Sequence, residues 1–153
     1  MEPFRILFVC HGNICRSPMA EFVMKDIVRR HGDEALFAIA SAATHDDEIG
    51  SPVHPGTIQM LLSQGVPIED RVARRLRTTD YPAWDLFVCM DDANATNTMR
   101  MFGSDPEAKI HKLLEYASSD RDIADPWYTG DFAETYDDVV AGCTGLYHFL
   151  RSC

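Results

Sequence analysis

Near its start the chain carries four apolar residues in a row, Ile6-Leu7-Phe8-Val9, with no polar alternation. A short continuous run of this kind predicts a strand buried on both faces, as in a parallel sheet. After a polar loop, Ser17-Pro18 opens a helix, with serine as N-cap and proline in the first helical position. Ala20, Val23, Met24 and Ile27 give that helix an apolar stripe, and His31-Gly32 closes it. The same reading places a strand at 37–42. A helix follows from Pro55, with Ile58, Leu61 and Leu62 inward and Gly65 at its end. A second buried strand is predicted at 85–90, then a helix capped by Asp91 or Asp92 and running through Ala95 and Met99, then a short strand at 110–114. The last helix starts near Asp131 and brings Tyr136, Val139, Val140, Cys143, Leu146, Tyr147 and Leu150 to one side. Met60, Met99 and Met101 read as core. Strands alternating with helices predict an α/β sandwich on a parallel sheet, whose ligands sit at the carboxyl ends of the strands.

No repeat, low-complexity run or long linker divides the 153 residues, so one domain over 1–153 is expected. With 46% apolar and 25% charged residues, the chain reads as globular, neither disordered nor membrane-spanning. The formal net charge of −10 disfavours nucleic acid and anionic membrane surfaces as partners. That charge is uneven: residues 1–77 hold ten acidic and nine basic side chains, residues 78–153 fourteen and five. Arg71, Arg74, Arg75 and Arg77 cluster without interleaved aromatics and read as a solvated surface. Five cysteines (Cys10, Cys15, Cys89, Cys143, Cys153) are an odd number, and the apolar stretch 4–10 is far too short for a signal sequence. Free thiols in a reducing cytoplasm are therefore expected. Cys10, His11 and Cys15 lack a second ligand pair, so neither a structural zinc nor another cofactor is expected.

The chemistry concentrates in the loop after the first strand, Cys10-His11-Gly12-Asn13-Ile14-Cys15-Arg16-Ser17-Pro18. Successive amides in a tight loop converge into an anion nest, and the following helix dipole adds positive potential. Gly12 permits the unusual backbone angles a nest requires, and Asn13 tolerates a left-handed conformation. Arg16 offers a planar fork for two phosphate oxygens. The same potential favours the thiolate of Cys10, placing a nucleophile beneath a cradled phosphate. Ser17 either donates to that thiolate or caps the helix; the sequence leaves both open. Cys10 and Cys15 as merely buried small hydrophobes is the competing view, and the strand-loop-helix context weighs against it. The acidic net charge does not forbid this ligand, because the loop lies in the near-neutral half and acts within a Debye length of ~8 Å.

Phosphorus–oxygen cleavage also needs a proton for the leaving oxygen. Asp125, held out of helical geometry by Pro126, is the candidate acid, and Trp127 and Tyr128 could wall the site and stack on an aromatic leaving group. Taken alone, the segment reads instead as a plain Asp-Pro turn entering the last helix.

Residues 9–21, with Asp125-Pro126-Trp127-Tyr128, resemble the low-molecular-weight protein tyrosine phosphatases. The likeness extends through Ser41-Ala42-Ala43-Thr44, Glu48-Ile49-Gly50, Val72-Ala73-Arg74 and Val88-Cys89-Met90-Asp91, over essentially the whole chain. The resemblance implies a three-layer sandwich with a four-stranded parallel sheet and metal-free hydrolysis of phosphotyrosine in proteins, with inorganic phosphate or other oxyanions as inhibitors. It implies Cys10 as nucleophile, Arg16 as phosphate holder and Asp125 as acid, then base. The loop from His11 to Ser17 would bind phosphate, shaped by Asn13 and Ser17, with Cys15 as a redox partner for Cys10. Ile14 matches the tyrosine-directed members. Asp47, beside Asp46 and Glu48, stands where many members have an aromatic wall residue, which disfavours acidic peptides. Arg71 replaces a histidine that supports the loop in some relatives. Trp127 replaces a Tyr or Phe, keeping the apolar wall but removing a tyrosine that can be phosphorylated. An arsenate reductase would need a second cysteine soon after Cys89, and 90–98 holds none. A non-catalytic phosphate-binding scaffold would lack one of Cys10, Arg16 and Asp125, yet all three are present.

Overall fold

The computed structural model, which describes residues 2–152, runs β1 (Phe4–Cys10), α1 (Arg16–Arg30), β2 (Phe37–Ala43), α2 (Pro55–Ser63), α3 (Asp80–Ala83), β3 (Leu86–Cys89), α4 (Asp92–Phe102), β4 (Ile110–Lys112), α5 (Pro126–Thr129) and α6 (Phe132–Arg151). The four strands are all parallel, in the order β2-β1-β3-β4. Side chains along a strand alternate between faces, and the core divides accordingly. Ile6, Phe8 and Cys10 of β1, with Leu86 and Val88 of β3, pack under α1, α2 and α6. Leu7 and Val9, with Phe87 and Cys89, pack against Tyr81 and Trp84 near α3 and Ala95, Met101 and Phe102 of α4. Helices thus cover both faces of the sheet, which explains why its strands read as continuous apolar runs.

The chain leaves β1 toward β2 on one side, while β3 lies on its other side. Strand order reverses at the carboxyl end of β1, and that is where an open α/β sheet forms its crevice. Cys10 ends β1 there.

Several local expectations need correction. α1 starts at Arg16 with Cys15 as N-cap, so Ser17 lies inside the first turn and makes no cap bond. Leu62 points outward, as does Met99; a stripe of neighbouring apolar positions left their side of the helix ambiguous by one residue. The strand expected over 110–114 stops at Lys112 and tightens into a 3-10 turn over Leu113–Ala117. Asp91, rather than Asp92, caps α4: its Oδ1 accepts from the Asn94 amide at 2.7 Å, and Asn94 Oδ1 accepts from the Asp91 amide at 3.2 Å. Among the described residues Cys10, Cys15, Cys89 and Cys143 are free thiols; Cys153 lies outside them. Among the described residues no helix is long and apolar enough to cross a membrane.

Candidate active site

Cys10 leaves the sheet into a loop whose turn is made by one left-handed residue, Asn13, with φ of 60°. Gly12 does not carry the unusual angle the sequence reading gave it: its φ is not in the left-handed region, and a Cβ there would meet Glu48 at an ordinary 3.5 Å. Asparagine takes this conformation at low cost because its side chain bonds locally, and here that side chain organises the loop. Asn13 Nδ2 donates to Ser17 Oγ at 2.8 Å, and Ser17 Oγ lies 2.9 Å from Cys10 Sγ. With Asn13 donating into the serine oxygen, the hydroxyl hydrogen is free to point at sulfur. The Asn13 amide also donates to Cys10 Sγ, at 3.3 Å. The two roles left open for Ser17 are thereby resolved in favour of the thiol.

Arg71 supports this arrangement from behind. Its guanidinium donates to the Asn13 carbonyl at 2.9 Å and to Asn13 Oδ1, which also accepts from the Arg74 amide at 3.2 Å. Arg74 forms a forked pair with Asp80, 3.1 Å on both arms. Arg71 and Arg74 are therefore half-buried structural groups rather than solvated surface; Arg75 and Arg77 are exposed as expected. The far side of the loop is anchored by α2, where the His54 amide donates to the Ile14 carbonyl at 2.9 Å and Thr57 Oγ1 to the Cys15 carbonyl at 3.1 Å.

Arg16 is buried at the start of α1. Both hydrogens of its Nη1 are taken, by Asp91 Oδ2 at 2.7 Å and the Ile123 carbonyl at 2.9 Å, while Nη2 lies 3.5 Å from Asp125 Oδ2. The Nε–Nη2 edge is therefore the one that can grip a two-oxygen anion. Burial works against the Arg16 charge, but Cys10, Asp91 and Asp125 outweigh it and hold its pKa above the usual value. Cys15 and Arg16 open α1, so their amides have no acceptor within the helix.

Asp125 caps the one-turn helix α5, its Oδ1 accepting from the Trp127 amide at 3.0 Å. Its extended backbone, with ψ of 114°, is what a following proline imposes. Trp127 and Tyr128 project from α5 at 57% and 83% exposure. Trp127 is braced edge-on by the His54 ring, 5.8 Å between centroids, and His54 stacks on Phe132 at 5.2 Å.

Cys10, His11, Gly12, Ile14, Cys15, Arg16, Asp47, Glu48, Asp125, Trp127 and Tyr128 line one cleft of about 140 Å³. Of the catalytic, phosphate-loop and wall residues expected from the sequence, Asn13 and Ser17 do not line it; they bond to Cys10 from within the loop. On the rim of the cleft, His11 stacks on His45 at 3.9 Å, and its Nε2 lies 2.9 Å from Asp47 Oδ2. That hydrogen bond holds the Asp47 carboxyl below the usual range. Burial, with the charges of Asp125 and Cys10, pushes the Cys15 thiol up to about 12, and burial alone pushes Cys143 up as well. Burial also takes Cys89 to about 12. Three of the four described thiols are thus held protonated, and none of the three has the Ser17 and Asn13 contacts of Cys10.

Not foreseen from the sequence are the hold of Asp91 on Arg16, His54 and the Ile123 carbonyl; Arg71, placed by the resemblance where some relatives have a loop-supporting histidine, does support the loop. Asp91 was visible as a helix cap, but nothing in its surroundings marked its second oxygen as a partner for Arg16.

The sequence pattern described as low molecular weight phosphotyrosine protein phosphatase matches residues 5–152. The chain is 36% identical over 143 residues, 92% of each chain, to YfkJ of Bacillus subtilis, a low molecular weight protein-tyrosine-phosphatase. The solved structure of YfkJ is similar with a TM-score of 0.93 at 35% identity, covering 98% of this chain and 96% of that one. SP-PTP, a low molecular weight protein tyrosine phosphatase from Streptococcus pyogenes, gives a TM-score of 0.85 at 38% identity over 96% and 93% of the two chains.

Proposed function

Because the chain belongs to the low molecular weight phosphotyrosine protein phosphatase family, we propose that its cleft hydrolyses phosphotyrosine through a covalent phosphocysteine on Cys10. The observation that carries this reading is the convergence on one cleft of Cys10, with Ser17 Oγ at 2.9 Å, and the Arg16–Asp125 pair.

The phosphoryl oxygens rest on the loop amides and the Nε–Nη2 edge of Arg16. The Cys10 thiolate attacks phosphorus in line, forming the S–P bond as the P–O bond to tyrosine breaks. The electron pair passes to the phenolic oxygen, which takes the proton of Asp125. The Asp125 carboxylate then removes a proton from water, whose oxygen attacks phosphorus and expels Cys10, yielding inorganic phosphate. Charge on the equatorial oxygens is met by donors already fixed in place, since Asp91 and the Ile123 carbonyl hold Arg16 before substrate arrives. No step calls on a metal. Inorganic phosphate, as product, competes for the same loop.

Cys15 has a second role in this reading. As a protonated thiol it does not compete with Cys10 for phosphorus. If peroxide oxidises Cys10 to the sulfenic acid, the Cys15 sulfur displaces hydroxide, which leaves as water with the thiol proton, and a reducible disulfide protects the nucleophile.

The acid role is tested by Asp125→Asn on aryl phosphates of graded leaving-group pKa, assayed with chelator present. In kcat/KM, which reports formation of the phosphocysteine, phenyl phosphate is expected to fall about 10²-fold, with a much smaller loss for an activated nitrophenyl ester that leaves without help. A loss equal across the series would remove Asp125 from proton donation. On the rim, Asp47→Tyr should raise the ratio of kcat/KM for acidic over neutral phosphopeptides roughly twofold to fivefold, the scale of one exposed charge contact. An unchanged ratio would discard Asp47 as a selector.

A further inference from the structure

β4 ends at Lys112, and lysine is among the residue types least often buried unless it is paired. Its side chain is only 10% exposed, and its three ammonium hydrogens have three acceptors: the Asp120 carbonyl at 2.7 Å, Asp122 Oδ1 at 2.8 Å and Asp92 Oδ1 at 3.0 Å. Asp122 Oδ1 also accepts from the Asp92 amide at 3.1 Å. Two stretches distant in sequence, the start of α4 and the irregular 120–125 segment, are therefore clasped on one cation. Burial disfavours the ammonium, but Asp122 and Asp92 outweigh it and hold its pKa above the usual value.

Both clasped stretches lead into the cleft. Asp92 adjoins Asp91, which holds Arg16. One residue past Asp122, the Ile123 amide donates to the Met90 carbonyl at 2.9 Å while its own carbonyl accepts from Arg16. Thr135 Oγ1 then donates to the Ala124 carbonyl at 3.0 Å, and the next residue is Asp125. The 120–125 segment has no helix or strand of its own, so these tethers decide where the Asp125 carboxyl stands.

Resting on the phosphatase reading above, we propose that Lys112 is a positioning residue: its clasp on Asp92, Asp120 and Asp122 registers the acid-bearing segment against the frame that holds Arg16. Without the ammonium, the Asp92 and Asp122 carboxylates repel each other across the gap it filled, and the segment moves away from α4. A displacement of about 1 Å at a reacting group costs as much as 10²-fold in rate. Arg16 keeps its bond to Asp91 when the segment shifts, so the larger cost falls on substrates that need the acid.

The test is Lys112→Met, assayed with the graded aryl phosphates beside wild type. The expected result is a loss of about tenfold or more in kcat/KM on phenyl phosphate and less than about threefold on the activated ester. In an Asp125→Asn background, Lys112→Met should add almost nothing, because the group it positions is gone. If Lys112→Met lacks a native near-ultraviolet circular dichroism spectrum, Asp122→Asn breaks the same clasp with less disturbance and must show the same leaving-group pattern. A folded variant with wild-type kcat/KM across the series, a kcat/KM loss independent of leaving group, or full additivity with Asp125→Asn would overturn the proposal. An inactive wild type would instead overturn the phosphatase reading beneath it.

Discussion

Cys10→Ser should lose turnover by a factor on the order of 10⁴–10⁶, the scale seen when an enzymatic nucleophile is removed. The substitution exchanges one atom, yet every contact around that atom suits a sulfur anion. The Asn13 amide at 3.3 Å and the Ser17 hydroxyl at 2.9 Å both point donors at position 10. A serine hydroxyl there is neutral at physiological pH, and among the described residues no histidine or carboxylate is bonded to Cys10 that could take its proton. Phosphate affinity should change little, since the Arg16 fork and the loop amides remain. A large fall in kcat with nearly constant inhibition by phosphate is the expected pair of results. A variant retaining even a hundredth of wild-type turnover would mean that another group attacks phosphorus.

Arg16→Lys should lower kcat/KM by roughly 10³-fold or more, the scale of an arginine stabilising phosphoryl transfer. The charge is kept, so this variant separates charge from geometry. A lysine ammonium has three donors at one point. It cannot bond Asp91 and the Ile123 carbonyl while also presenting two parallel N–H groups to a phosphoryl oxygen pair. Most of the loss should appear in kcat, because the fork is matched to charge that builds up in the transition state. A loss confined to KM would reduce Arg16 to a binding residue. The thermal midpoint should fall as well, since Asp91 is left with an imperfect partner; comparing kcat at a temperature where both proteins are folded keeps the two effects apart.

What was legible in the sequence was what is encoded locally. The apolar run of β1, the asparagine in the loop and the Cys-x5-Arg spacing each specify geometry within a few residues, and Cys10 and Arg16 follow from them as candidates; Asp125 comes from the family resemblance, since its Asp-Pro pair alone specifies only a turn. Partnerships formed across crossovers were not legible. Asp91 meets Arg16 75 positions away because β3 lies beside β1, and Arg71 reaches Asn13 across 58 positions. Ser17 is not the cap that Ser-Pro suggests because α1 begins two residues earlier. The glycine chosen for the loop's unusual angle was one residue early, since Asn13 carries it. A residue's neighbours in a parallel sheet are set by strand order, which hydrophobic periodicity does not contain.

The central claim is a covalent bond between Cys10 and phosphorus. The direct measurement is rapid acid quench during hydrolysis of an activated aryl phosphate, followed by mass spectrometry of the peptide containing Cys10. The wild-type protein should show a phosphoryl adduct on Cys10, and the adduct should accumulate in Asp125→Asn, where water attack loses its base. No adduct in either protein, or an adduct on any other residue, would contradict the account.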